Sequence, residues 1–256
     1  MVIEEFKAQV LADYKLAFLA SQVCTLAAER WSDVPVTSGV DVAQVALAKY
    51  VHGTDRYVSS SVDFTYALAS GETDACRFYN RLRRMKQENK SYVPHWQDVL
   101  SFARAFQRGS AKGSSSVVFV TLPSEALGQG AFLESLFSAV VEQLPVAFVV
   151  WNDASIYPNA TVSKLFSGFS HLRRDRQGVS VQTVKGNDYV ALCRTFEHQV
   201  GVSRSESAPT LTIVERSVDD TDMLSSWIID KQISLKEQIS VIEKACVEAS
   251  RYGLES

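Results

Sequence analysis

Residue types able to do chemistry are present in this sequence, but few stand at the spacing that chemistry needs. Gly128-x-Gly130 follows a short apolar run and opens a helical pattern. By itself it is a fragment of a phosphate-binding loop and reads as an ordinary turn between strand and helix. Ser124 is not set in a Gly-x-Ser-x-Gly elbow. Ser60 and Ser61 have no His/Asp pattern beside them that would make a nucleophile. The histidines His52, His171 and His198 show no metal-ligand spacing, and His95 reads as a helix-start histidine that hydrogen-bonds locally. Arg81, Arg83, Arg84 and Lys86 form a basic cluster that reads as a solvated helix end, or else as a contact for an acidic partner or a phosphate. No catalytic residue is assigned.

The elements that would position a site are clearest between Val117 and Asp153. Val117–Thr121 and Val146–Val150 are short, continuously apolar runs rich in valine, and each predicts a strand. Between them Phe132–Gln143 has helical spacing, with Phe132, Leu133, Leu136, Phe137 and Val140 on one side, and Pro145 stops the pattern after Leu144. Two strands apolar on both faces around one amphipathic helix predict a βαβ unit in a parallel sheet. Further strands are expected at Val179–Val184 and Thr210–Val214, with a helix from Tyr189 to Val200 between them. The fold class is therefore α/β, a mostly parallel sheet with helices on both faces. In such sheets ligands sit outside the carboxyl ends of the strands. Any cofactor site is then expected in the loops Leu122–Gln129 and Trp151–Pro158.

These loops carry a resemblance. Gly130-Ala131-Phe132, Glu134, Leu144-Pro145-Val146 and Asn152-Asp153 fall in step, without a gap, with the thiamine diphosphate motif in the α subunit of 2-oxo acid dehydrogenases. That motif runs from Gly-Asp-Gly after one strand, through a helix and a Leu-Pro-Val-like turn, to Asn-Asn after the next. The likeness covers most of the chain: Gly39–Tyr50 looks like the family's early helix, Val93-Pro94-His95-Trp96 like its Val-Pro-His helix start, and Lys185-Gly186-Asn187-Asp188 like its Asp-Gly-x-Asp turn. The resemblance implies the family's thiamine diphosphate-binding fold, of the pyrophosphate-domain type. It also implies a single domain over 1–256, with an N-terminal helical part at 1–92, an α/β core at 93–216 and C-terminal helices at 217–256.

The matched positions have lost much of the family's chemistry. Where tyrosine and arginine hold the cofactor, this chain has Ser60, Ser61 and Val62, and valine cannot donate to a phosphate. A glycine- and histidine-rich loop is reduced to Lys86–Tyr92, and the small residues that let backbone approach the diphosphate are replaced by Trp96, Asp98 and Leu100. The loop before Asp219-Asp220 has no histidine. Pro123-Ser124-Glu125 stands where the metal-binding Gly-Asp-Gly would be. Magnesium requires about six oxygen ligands in octahedral geometry. What survives by resemblance is a set in which Glu125, Asn152 and Asp153 face the cofactor and Glu125, Asp153 and the Ser155 carbonyl hold Mg²⁺.

The resemblance thus implies a degenerate relative, with thiamine diphosphate and Mg²⁺ binding lost. Such a protein would be non-catalytic and would act by assembling with a β-like subunit or domain, as a homo- or hetero-oligomer. The alternative is a working decarboxylating α subunit with altered cofactor ligands. A net charge of −3 over 256 residues gives no reason to expect nucleic-acid binding. No run reaches the roughly 20 apolar residues that span a bilayer. Cys24, Cys76, Cys193 and Cys246 form no CxxC pair, and the N-terminus lacks a signal-peptide pattern. A cytoplasmic location, with reduced thiols, is expected.

Overall fold

A computed structural model of the chain describes residues 9, 10, 12, 13, 16–18, 20, 21, 42–59, 64–70, 94–110, 115–153 and 178–216. The helices expected over Glu72–Met85, Met223–Ile229 and Ser234–Tyr252 lie outside these residues, as do Ser60, Ser61, Val62 and Ser155. Contacts divide the chain into two compact units: Met1–Lys49 with Val62–Ser91 and Thr221–Ser256, and Tyr50–Ser61 with Tyr92–Asp220.

The first unit is helical where it is described. Residues described between 9 and 21 are helical, with Val10, Ala17 and Ala20 buried. Helix α1 (Val42–Ala48) is small and apolar and is buried over nearly its whole length. Its buried Gln44 accepts from the backbone N–H of Tyr66 at 3.0 Å, which ties α1 to α2 (Phe64–Ala69). Lys49, just past α1, pairs with the buried Asp13.

The second unit is a five-stranded, all-parallel sheet. Its strands are β1 (Arg56–Ser59), β2 (Val118–Pro123), β3 (Val146–Asp153), β4 (Ser180–Lys185) and β5 (Thr210–Arg216), in the order β1-β2-β3-β5-β4. Helix α3 (Trp96–Ser110) precedes β2, α4 (Gly130–Glu142) joins β2 to β3, and α5 (Tyr189–Glu206) joins β4 to β5. The chain advances from β1 through β3, passes to β4 at the far edge, and returns to place β5 between them. Right-handed crossovers then put α4 and α5 on opposite faces. The side chains agree. Val118, Val120, Leu122, Phe148, Val150 and Ile213 alternate onto the face packed by Val99, Ala103, Phe132, Leu136 and Val140 of α3 and α4. On the other face Ser203 of α5 donates to the carbonyls of Ala208 (2.8 Å) and Val146 (3.4 Å).

Strand β1 is not among the strands expected from the sequence. Its four residues begin with an exposed arginine and show no buried run, so tertiary pairing makes it a strand. Asp55 anchors it: its Oδ1 accepts from the N–H of Val117 at 2.9 Å, and Arg56 pairs with Val118 in register. Arg204, near the end of α5, clamps Asp55 through both guanidinium N–H groups while donating to the carbonyls of Tyr50 and Ser115. Helix α4 also corrects the expected apolar face. Phe132, Leu136 and Val140 are buried, but Phe137 is 57% exposed, because it falls on the solvent side of the helix with Val141.

Candidate functional site

The parallel pairing lines up every carboxyl strand end on one edge. Pro123 is the register partner of Trp151, Asn152 of Glu215, Asp153 of Arg216, and Lys185 of Glu215. Neighbouring strands lie about 4.8 Å apart, so the segments after β2 and β3 meet at this edge. The segment after β2, which carries Glu125, thus packs against β3, whose carboxyl end carries Asn152 and Asp153. The side chain of Asp153 and all of Ser155 lie outside the described residues.

The loop after β2 is more ordered than an open phosphate loop. It folds as a 3-10 helix over Ser124–Gly128, after Pro123 in extended backbone. Ser124 is 1% exposed, and Ala126 and Leu127 are built into the hydrophobic core. Glu125 is turned out to solvent. Asn152 is fully buried and engaged in contacts of its own. Helix α4 then starts at Gly130 with no side-chain cap from Gln129.

At the amino end of α3, Trp96 stands where the resemblance calls for a small residue. Its ring lies 5.9 Å from that of Phe132, which meets Phe148 edge-on at 5.8 Å. This ladder of three aromatic rings joins α3, α4 and β3. On the other side of the sheet, Thr121 donates to Ser59 at 2.8 Å, and the Tyr57 hydroxyl lies 3.4 Å from Thr121. The run Tyr57-Val58-Ser59-Ser60 was the signal for this hydroxyl cluster, but only strand pairing brings it to Thr121. Sequence reasoning also passed over Trp151 and Arg216; the guanidinium of Arg216 lies 4.6 Å over the Trp151 ring.

Among the described side chains, few donors at this edge suit Mg²⁺ and a diphosphate. Magnesium favours carboxylate oxygens, yet the buried side chains here, Ser124 and Asn152, are neutral, and the Glu125 carboxylate is in water. Among the described residues no group of three or more His, Cys, Asp or Glu side chains could hold a metal ion. Pro123 has no N–H to donate, and Leu127 and the Trp96 ring pack into the apolar core. Among the described residues, no helix is long and apolar enough to cross a membrane.

No protein-family model matches the sequence, and no curated protein matches it. Solved structures do. Transketolase from Campylobacter jejuni subsp. jejuni NCTC 11168 superposes with a TM-score of 0.56 at 14% identity, over 93% of this chain and 42% of its own. Transketolase from Leishmania mexicana gives 0.50 at 12% identity, over 93% of this chain and 47% of its own. The chain spans less than half the length of these transketolases. The class of fold is therefore the α/β thiamine diphosphate-binding fold that transketolases share.

Proposed function

We propose that this chain is a degenerate relative of the α subunit of thiamine diphosphate-dependent 2-oxo acid dehydrogenases, non-catalytic, acting by assembly with a β-like subunit or domain. The observation that carries this reading is the segment after β2. A loop that would hold metal and diphosphate is instead a 3-10 turn whose Ala126 and Leu127 pack into the core and whose single carboxylate faces water. Loss of the cofactor would leave the fold, and what it binds, as the property that matters.

The second reading is a working thiamine diphosphate-dependent α subunit with altered ligands. It is favoured by the uncapped start of α4, since a helix N-terminus suits an anion, and by Asn152-Asp153 ending β3 beside the β2 loop.

Calorimetric titration of thiamine diphosphate with Mg²⁺ into the purified chain, alone and with any co-purifying chain, separates the two. The first reading expects no heat at millimolar cofactor and a stable complex with a second polypeptide. Heat that disappears in Glu125→Ala or Asp153→Ala would establish the second. A chain purified from its native host as a monomer without a companion would overturn the assembly reading.

A further inference from the structure

We propose that β1 and its lead-in from Tyr50 form a releasable strap on the edge of the sheet, fastened at the amino end by the grip of Arg204 on Asp55. The strap is weakly held by apolar contact. No residue of β1 is fully buried, and only Val58 packs, half-buried, against the hydrophobic core. Arg56 is exposed, with its guanidinium 5.0 Å over the ring of the exposed Phe102. Among the described residues β1 pairs with one strand, β2, over four residues. The strands of the interior instead bury continuous valine-rich runs.

Polar groups make the fastening. The Asp55 side chain is fully buried, and each of its oxygens is matched twice. Oδ1 accepts from the N–H of Val117 and from Arg204, both at 2.9 Å; Oδ2 accepts from the N–H of His52 at 2.7 Å and from Arg204 at 2.5 Å. Arg204 also donates to the carbonyls of Tyr50 and Ser115, each at 2.8 Å. One guanidinium thus joins the lead-in of β1, the lead-in of β2 and the last turn of α5, although Asp55 and Arg204 are 149 positions apart. A buried carboxylate that loses such a partner is left uncompensated. The strap then opens while the valine core of β2, β3 and β5 stays packed, as an edge unit of lower local stability does. Its release leaves the outer edge of β2 unpaired, and such an edge takes up extended segments. The proposal rests on the fold and is independent of the assembly reading.

The test is amide hydrogen exchange of the purified chain, followed peptide by peptide by mass spectrometry over residues 55–59, 146–152 and 210–214. In the parent, β1 is expected to exchange at least about tenfold faster than β3 and β5, through an opening they do not share. Arg204→Met is expected to speed exchange of β1 on the order of 100-fold, with β3 and β5 still slower than β1. Arg104→Met breaks the exposed pair that Arg104 makes with Glu142 between α3 and α4, and it is expected to leave the rate of β1 as in the parent. A single rate shared by all three segments, in the parent or in Arg204→Met, would show that β1 opens only with the whole sheet and overturns the proposal. A rate for β1 that Arg204→Met does not change, or that Arg104→Met raises as much, overturns it too.

Discussion

Gln199 is fully buried on the face of α5 that packs on the sheet, and neither its Oε1 nor its Nε2 makes a hydrogen bond. One turn on, Ser203 fills its hydrogen-bonding capacity through Ala208, Val146 and Thr210. A buried polar atom left unmatched costs about 1–3 kcal/mol, and a methionine has nearly the same volume. Gln199→Met is therefore expected to stabilise the chain by about 1 kcal/mol or more, read as a higher midpoint in urea at unchanged slope. Tyr50 differs in kind. Burial first, and then the nearby Cys193 and Glu197, push its hydroxyl from 10.0 up to about 12. The folded state thus favours the neutral phenol. That contribution is complete below pH 10 and is lost as pH rises toward 12. Absorbance at 295 nm should show one of the nine tyrosines titrating near 12, and Tyr50→Phe should remove that step.

At the scale of elements, the 3-10 turn is the part with most to say about function. Leu127 is 1% exposed within it, so Leu127→Ala is expected to cost about 2–5 kcal/mol. A cost below 1 kcal/mol in chemical denaturation would mean the turn is not part of the core. The clamp at the opposite end of the sheet is a second test. The Asp55 side chain is 0% exposed and that of Arg204 is 14% exposed. Removing one partner of a buried ion pair leaves the other uncompensated, so Arg204→Met is expected to cost about 3–5 kcal/mol. Helix α5 ends at Ser207 with φ 49°, in the left-handed region. Ser207→Gly should relieve about 1 kcal/mol of strain and raise Tm.

The same elements show how far sequence pattern reaches. Strands β2 and β3 were visible because valine-rich runs bounded by proline and glycine have no other good use. Both end later than their apolar cores, at Pro123 and Asp153, because neighbouring strands carry the pairing past the last apolar residue. Phe137 shows the limit of helical spacing. It lies one position from the buried Leu136, and only the packing of α4 on the sheet decides which of them faces water. The 3-10 turn had no signal of its own, since Ser-Glu-Ala-Leu suits a loop equally well. Trp151 and Arg216 are 65 positions apart in sequence (216 minus 151) and meet only through the register of β3 with β5.

For the whole molecule, the parallel class and the edge where the segments meet followed from two strands and one helix, and the order of strands did not. That order has a consequence for how the protein is made. The strand that joins β3 to β4 is the last of the five in sequence. When Asp153 has left the ribosome, β3 still lacks one neighbour, and Thr210 follows 57 residues later (210 minus 153). At 5–20 residues per second this is roughly 3–11 s. During that interval the unpaired edge of β3 is open to any extended segment nearby, with β4 waiting unattached. Synthesis of this chain therefore passes through a stage of high aggregation risk, which ends only when β5 arrives to close the sheet.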